Sequence, residues 1–144
     1  FRSERKILDE IMGFSPDLLV LAGFMKTLTP YFIDRFSPDP ENPRIMNIHP
    51  ALLPSFPGTD GYGDTFSYGC RVGGCTVHFV DYGTDTGPII AQKAFEILPE
   101  DSIEDVRKKG IELEWSVYPE AVKLFFEGRI KIFESGGRKI TKII

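Results

Sequence analysis

The sequence predicts an α/β fold built on a mostly parallel, doubly wound sheet. An unbroken apolar run, Leu18 to Ala22, follows a helical stretch and reads as a buried strand. Helical and strand patterns alternate along the chain, with no internal repeat and no linker between them. A long amphipathic helix occupies much of the C-terminal third.

The elements follow in order. Residues 3–13 space Ile7, Leu8, Ile11 and Met12 as a helix that ends at Gly13. Ser15-Pro16-Asp17 breaks the chain before the strand at Leu18 to Ala22, expected to be buried on both faces. Thr29-Pro30 opens a short helix to about Phe36, with Thr29 as N-cap and Pro30 as the first helical residue. The proline-rich stretch 37–43 is a surface loop, and Arg44 to Ile48 reads as a second short buried strand. Prolines 50, 54 and 57 and glycines 58, 61 and 63 exclude regular structure over 49–64, yet Leu52, Leu53, Phe56 and Tyr62 require the loop to pack. Gly74 to Asp81 and Pro88 to Ile97 read as strands joined by the turn at 81–87, an antiparallel pair near 74–97. Asp101-Ser102-Ile103-Glu104 signals a helix start, and apolar residues from Ile103 to Phe125 recur at steps of three and four up to Gly128. Pro119 is expected to kink this helix, and Trp115, Phe125 and Phe126 are expected in the core. Ile130 to Phe133 suits an edge strand, and residues 134–144 read as a tail.

Composition removes several functions. The 144 residues are one domain's worth, with 42% hydrophobic and 26% charged residues, an ordinary globular mix. A net charge of −4 argues against nucleic acid as a partner. No apolar run is long enough to span a membrane, and no apolar segment follows the charges at 2–6 as a signal peptide requires. Cys70 and Cys75 fit neither a disulfide framework nor a metal site, and read as free thiols of a cytoplasmic protein. No metal ligands are expected.

Two polar features could carry chemistry. Asn47-Ile48-His49-Pro50 closes a strand, where open α/β sheets bind ligands. Asn47 and His49 lie two apart, so an extended chain points both to one side. A neutral donor beside an acid/base suits a carbonyl that becomes a tetrahedral oxyanion. A strand-end Asn bonded to backbone and a packed core His fit the same residues. The turn Asp81-Tyr82-Gly83-Thr84-Asp85-Thr86-Gly87-Pro88 could turn a carboxylate toward His49, or its Asp residues could simply cap the turn. His78, in mid-strand, reads as structural.

Residues 47–58, Asn-Ile-His-Pro-Ala-Leu-Leu-Pro-Ser-Phe-Pro-Gly, resemble the signature loop of the folate-dependent formyltransferases. Val77 to Asp81 and Asp85 to Gln92 resemble that family's second block, and Asp17 to Met25 resembles the strand before it. The resemblance runs from about residue 5 to 133. Within the family it is nearest the branch that formylates glycinamide ribonucleotide in purine synthesis, on the Phe56-Pro57-Gly58 ending and the Tyr118-Pro119 helix. It implies a catalytic trio of Asn47, His49 and Asp85. It implies 10-formyltetrahydrofolate as co-substrate, held by Met25, Lys26, Thr27 and Leu28 and by the turn from Val80 through Asp81 to Asp85. Asn47 and Glu114 would face the ribonucleotide. It further implies that residues 1–133 are the C-terminal part of one formyltransferase domain whose N-terminal segment is a missing partner, with small molecules as the other partners and a homo-oligomer left open. Another formyl-folate enzyme, a deformylase or a different amine formyltransferase, and a non-catalytic folate-binding remnant are the alternatives. After Gly58 the family commonly carries a His-bearing segment, where this chain has Thr59-Asp60-Gly61-Tyr62-Gly63-Asp64. The resemblance and the proline-dense loop together imply a cis Leu53–Pro54 bond.

Overall fold

In the computed structural model, residues 2–24 and 26–144 are described. Helix α1 (Arg2–Met12) leads to strand β1 (Leu19–Leu21) and helix α2 (Pro30–Phe36). Thr29 caps α2 as expected, its hydroxyl accepting from Phe32 N–H, with Pro30 in the first turn. Strand β2 (Ile45–His49), helix α3 (Gly61–Tyr68), and strands β3 (Val72–Phe79) and β4 (Ile89–Glu96) follow. Helix α4 (Ile103–Phe126) is next, then strands β5 (Ile130–Ser135) and β6 (Arg138–Ile143).

The main sheet runs β1-β2-β3-β4. β1 pairs parallel with β2, while β3 is antiparallel to both β2 and β4. Three of the four strands therefore run one way and β3 alone runs the other, because the β3–β4 connection is a hairpin turn rather than a crossover. The sheet has two distinct faces. Met46, Ile48, Cys75, Val77 and Phe79 pack against Val117 and Ala121 of α4. On the other face, Ile45 joins the Phe32, Ile33 and Phe36 side of α2 and Leu8 of α1. Burial pushes the Cys75 thiol up to about 12, and both cysteines are free.

Four expectations change. β1 is not buried on both faces: it is an edge strand here, and Val20 is 41% exposed. Trp115 is 72% exposed and Phe126 also lies at the surface, because α4 turns Val106, Gly110, Val117 and Ala121 inward instead. The stretch 49–64, expected to be irregular throughout, instead starts helix α3 at Gly61, whose N-cap Asp60 accepts from Gly63 N–H. The tail is a strand: β6 pairs antiparallel with β5 across Gly136 and Gly137, both at positive φ, which suits a tight two-residue hairpin. Thr141 Oγ1 then donates to the Ile89 carbonyl of β4. Pro119 lies inside α4, which continues as one helix to Phe126.

Candidate active site

The register of the sheet sets the first half of the site. Asn47 lies opposite His78, and His49 opposite Thr76, across the β2–β3 pair. Cross-strand partners share a face, so these four side chains project together from the side away from α4. Thr76 then fixes the loop that follows β2. Its buried hydroxyl donates to the Ala51 carbonyl and accepts from Leu53 N–H at 3.1 Å. Gln92 Nε2 reaches both that hydroxyl and the Leu53 carbonyl. Leu53–Pro54 is cis, as the sequence implied.

This loop carries Phe56 back over His49. Phe56 adopts φ +51, a conformation uncommon outside glycine, and its carbonyl lies 2.7 Å from His49 Nε2. A carbonyl only accepts, so Nε2 carries a proton. His49 Nδ1 faces Asp85 Oδ2 at 3.4 Å, with His49 buried and the Asp85 side chain 12% exposed. Both ring nitrogens thus face oxygen atoms, the Phe56 carbonyl on one side and the Asp85 carboxylate on the other. Asp85 reaches this place from the β3–β4 turn at φ +55. Its Oδ2 also accepts from Gly58 N–H at 3.1 Å, which ties the turn to the loop.

His78 completes the group. Its Nδ1 donates to the Phe79 carbonyl at 2.8 Å, which leaves Nε2 as the unprotonated nitrogen of the neutral ring. Burial holds His78 below the usual histidine value, against the opposing pull of the Phe79 carbonyl and Asp85. Nε2 lies 3.8 Å from Asp85 Oδ1 and has no hydrogen-bond partner. A buried acceptor beside a carboxylate suits a ligand that brings a donor.

Asn47, His49, His78 and Asp85 line one cleft of about 350 Å³. Lys26, Thr27, Leu28, Val80 and Glu114 line it too. Thr27 and Thr84 come within 3.4 Å of each other across it through their hydroxyls. Asp81 is turned away: its Oδ1 accepts from Gly83 N–H at 2.9 Å and from the Thr86 hydroxyl at 2.5 Å, the turn-capping role. Met25 lies outside the described residues. Three contributors have no clear signal in the sequence. His78 in mid-strand reads as structural, Thr76 belongs to no motif, and Tyr62, which also lines the cleft, reads as a packing residue of the loop. No group of three or more His, Cys, Asp or Glu residues is placed to hold a metal among the described residues.

The chain matches the family model described as Formyl transferase over residues 2–122. It is 43% identical over 124 residues to the phosphoribosylglycinamide formyltransferase of Haemophilus influenzae, which covers 86% of this chain and 56% of the relative. Its structure resembles glycinamide ribonucleotide transformylase 1 of Symbiobacterium toebii with a TM-score of 0.86 and 38% identity, over 98% of this chain and 62% of that one. It also resembles a formyltetrahydrofolate deformylase of Pseudomonas syringae, with a TM-score of 0.84 and 26% identity, over 97% of this chain and 45% of that one. The chain thus spans roughly half to two thirds of the length of these proteins.

Proposed function

The chain belongs to the formyl transferase family, and from that membership and the geometry of the cleft we propose that it transfers a formyl group from 10-formyltetrahydrofolate to the amine of glycinamide ribonucleotide. The observation that carries this reading is the meeting of Asn47, His49 and Asp85 in one cleft from a strand end and a turn 36 residues further on.

The residues divide the work. Asn47, in the middle of β2 and lining the cleft, supplies a neutral donor for an oxyanion developing on the formyl carbon. His49 stands beside the same carbon as an oriented ring. Phe56 holds its Nε2 and Asp85 faces its Nδ1, so the ring cannot swing. Asp85 Oδ1 and His78 Nε2 form a pair of acceptors that can hold one N–H or one water. The attacking amine can lose its proton there as its nitrogen bonds the formyl carbon. That proton then leaves with N10 of the folate as the old C–N bond breaks. Lys26, Thr27 and Leu28 on one wall, with the backbone of the 80–85 turn on the other, would receive the folate, and Glu114 the ribonucleotide. A cytoplasmic setting accords with free Cys70 and Cys75.

The test uses the full-length natural protein with 10-formyltetrahydrofolate, with and without glycinamide ribonucleotide, and follows both formylated amine and free formate. Formylated amine that forms only with the ribonucleotide supports the reading. Formate release independent of the amine replaces it with hydrolysis, the reaction of the deformylase resemblance.

A further inference from the structure

One side chain lining the cleft is closely seated. Tyr62 is buried, and its hydroxyl donates to Glu114 Oε2 at 2.6 Å, joining α3 to the middle of α4. Gly110 makes room for its ring, and Gly61 and Gly63 let the chain on either side of it pass close to Pro50 and Asp60. A Cβ on Gly110 of α4 would meet the Tyr62 ring at 2.1 Å and its hydroxyl at 2.5 Å. Gly61, just before Tyr62, could not carry a Cβ without striking the Pro50 carbonyl at 2.4 Å. Gly63, just after it, would strike the Asp60 carboxylate that caps α3. Asp60 in turn pairs with Arg107 of α4 at 3.0 Å. Glycine is the weakest helix former after proline, so a glycine in mid-helix has to be explained by what occupies its missing side chain's space. At Gly110 that occupant is the Tyr62 ring.

The consequence falls on Glu114. Its Oε2 is committed to Tyr62, and Oε1 has no protein hydrogen bond among the described residues. Glu114 lines the same cleft as Asn47 and Asp85. A flexible glutamate so anchored presents one acceptor oxygen in one place. An oxygen held as an acceptor selects donors, the hydroxyls of a sugar before a phosphate.

We propose that Tyr62 is a positioning residue for the amine substrate: it fixes the Glu114 carboxylate so that its free oxygen accepts from the sugar hydroxyls. This rests on the reading above, in which Glu114 faces the ribonucleotide. It assigns a role to the segment where the chain departs from its family's His-bearing pattern. Tyr62 acts through Glu114 and touches no reacting atom.

The test is Tyr62→Phe in the full-length natural protein, since Phe keeps the ring against Gly110. Losing a hydrogen bond to a charged group predicts a KM for glycinamide ribonucleotide about tenfold higher, with kcat within about twofold and the Kd for a folate analogue unchanged. Glu114→Ala should raise KM as well, and the double variant should be no worse than Glu114→Ala alone. A crystal structure of Tyr62→Phe should show the Glu114 carboxylate moved. An unchanged KM, or a fall in kcat at constant KM, overturns the proposal. So does a Glu114 carboxylate that stays in place without the phenol. If the unmodified protein does not use glycinamide ribonucleotide, the functional reading fails, and the Glu114 position in Tyr62→Phe still decides whether Tyr62 anchors it.

Discussion

Asp85 holds three parts of the cleft at once. One carboxylate oxygen meets Gly58 N–H and His49, and the other faces His78. Asp85→Asn keeps the shape and removes the charge, so the amide should leave His49 without its carboxylate partner and the attacking amine without a proton acceptor. Loss of one positioned acid/base predicts a fall in kcat of roughly 10²–10⁴-fold, with folate binding preserved. Steady-state kinetics beside folate titration would check this, and a kcat within tenfold of the unmodified protein would remove Asp85 from the chemistry.

His78 makes a prediction about pH. Burial keeps its folded pKa below the usual 6.5, so as pH falls through 6.5 the unfolded chain gains a proton that the folded chain resists. Its contribution to stability is therefore intact above about 6.5 and is lost as pH drops toward the folded value. His78→Gln should lose less of its melting temperature between pH 7.5 and pH 5 than the unmodified protein does. An equal or larger loss would mean that His78 takes its proton in the folded state. These roles differed in how legible they were. Asn47 and His49 stand two apart on a strand, so alternation alone put them on one side. Asp85 could be joined to them by its motif. The Tyr62–Glu114 bond spans 52 residues and carries no local pattern.

At the scale of elements, Gly110 gives the sharpest test of packing against propensity. Alanine in mid-helix normally exceeds glycine by about 1 kcal/mol. Here its methyl would enter the Tyr62 ring, so Gly110→Ala should lower the melting temperature instead of raising it. A stabilised variant would show that the ring gives way easily. At the other end of the logic, Ser102 caps α4 through a reciprocal box with Asp105. Ser102→Ala should cost about 1 kcal/mol, measured by urea unfolding, with no change in substrate KM. The sequence patterns found α1, α2, α4 and every strand of the main sheet, because their apolar spacing or caps are local. They missed α3, whose glycines answer to Pro50 and Asp60 rather than to helix propensity. They also missed β6, although Gly136-Gly137 between two alternating stretches is a hairpin signal. Trp115 was misplaced for a simpler reason: hydrophobic character does not decide which side of an amphipathic helix is covered.

At the scale of the molecule, the two ends of the cleft are unequally furnished. On the proposed reading, Lys26, Thr27, Leu28 and the 80–85 turn would receive the folate, and Asn47, His49 and Asp85 would serve the reacting centre. Phosphate recognition needs clustered backbone N–H groups at a helix start or a basic cradle. The glycine-rich stretches at 58–63, 83–87 and 136–137 instead serve the active-site loop, the β3–β4 turn and a hairpin. β1 is an unpaired edge of the main sheet, with Val20 exposed and Phe24 beside it 37% exposed. An open apolar edge recruits other strands. The 144 residues expressed alone should therefore associate, and should bind a folate analogue while failing to turn over glycinamide ribonucleotide. Supplying the part of the relatives that this chain does not span, in cis or as a second chain, should restore both a monodisperse profile in size-exclusion chromatography and turnover. Efficient formylation by the 144 residues alone would show that the phosphate is recognised within them. The first place to look would then be the basic residues nearest the cleft, beginning with Lys26.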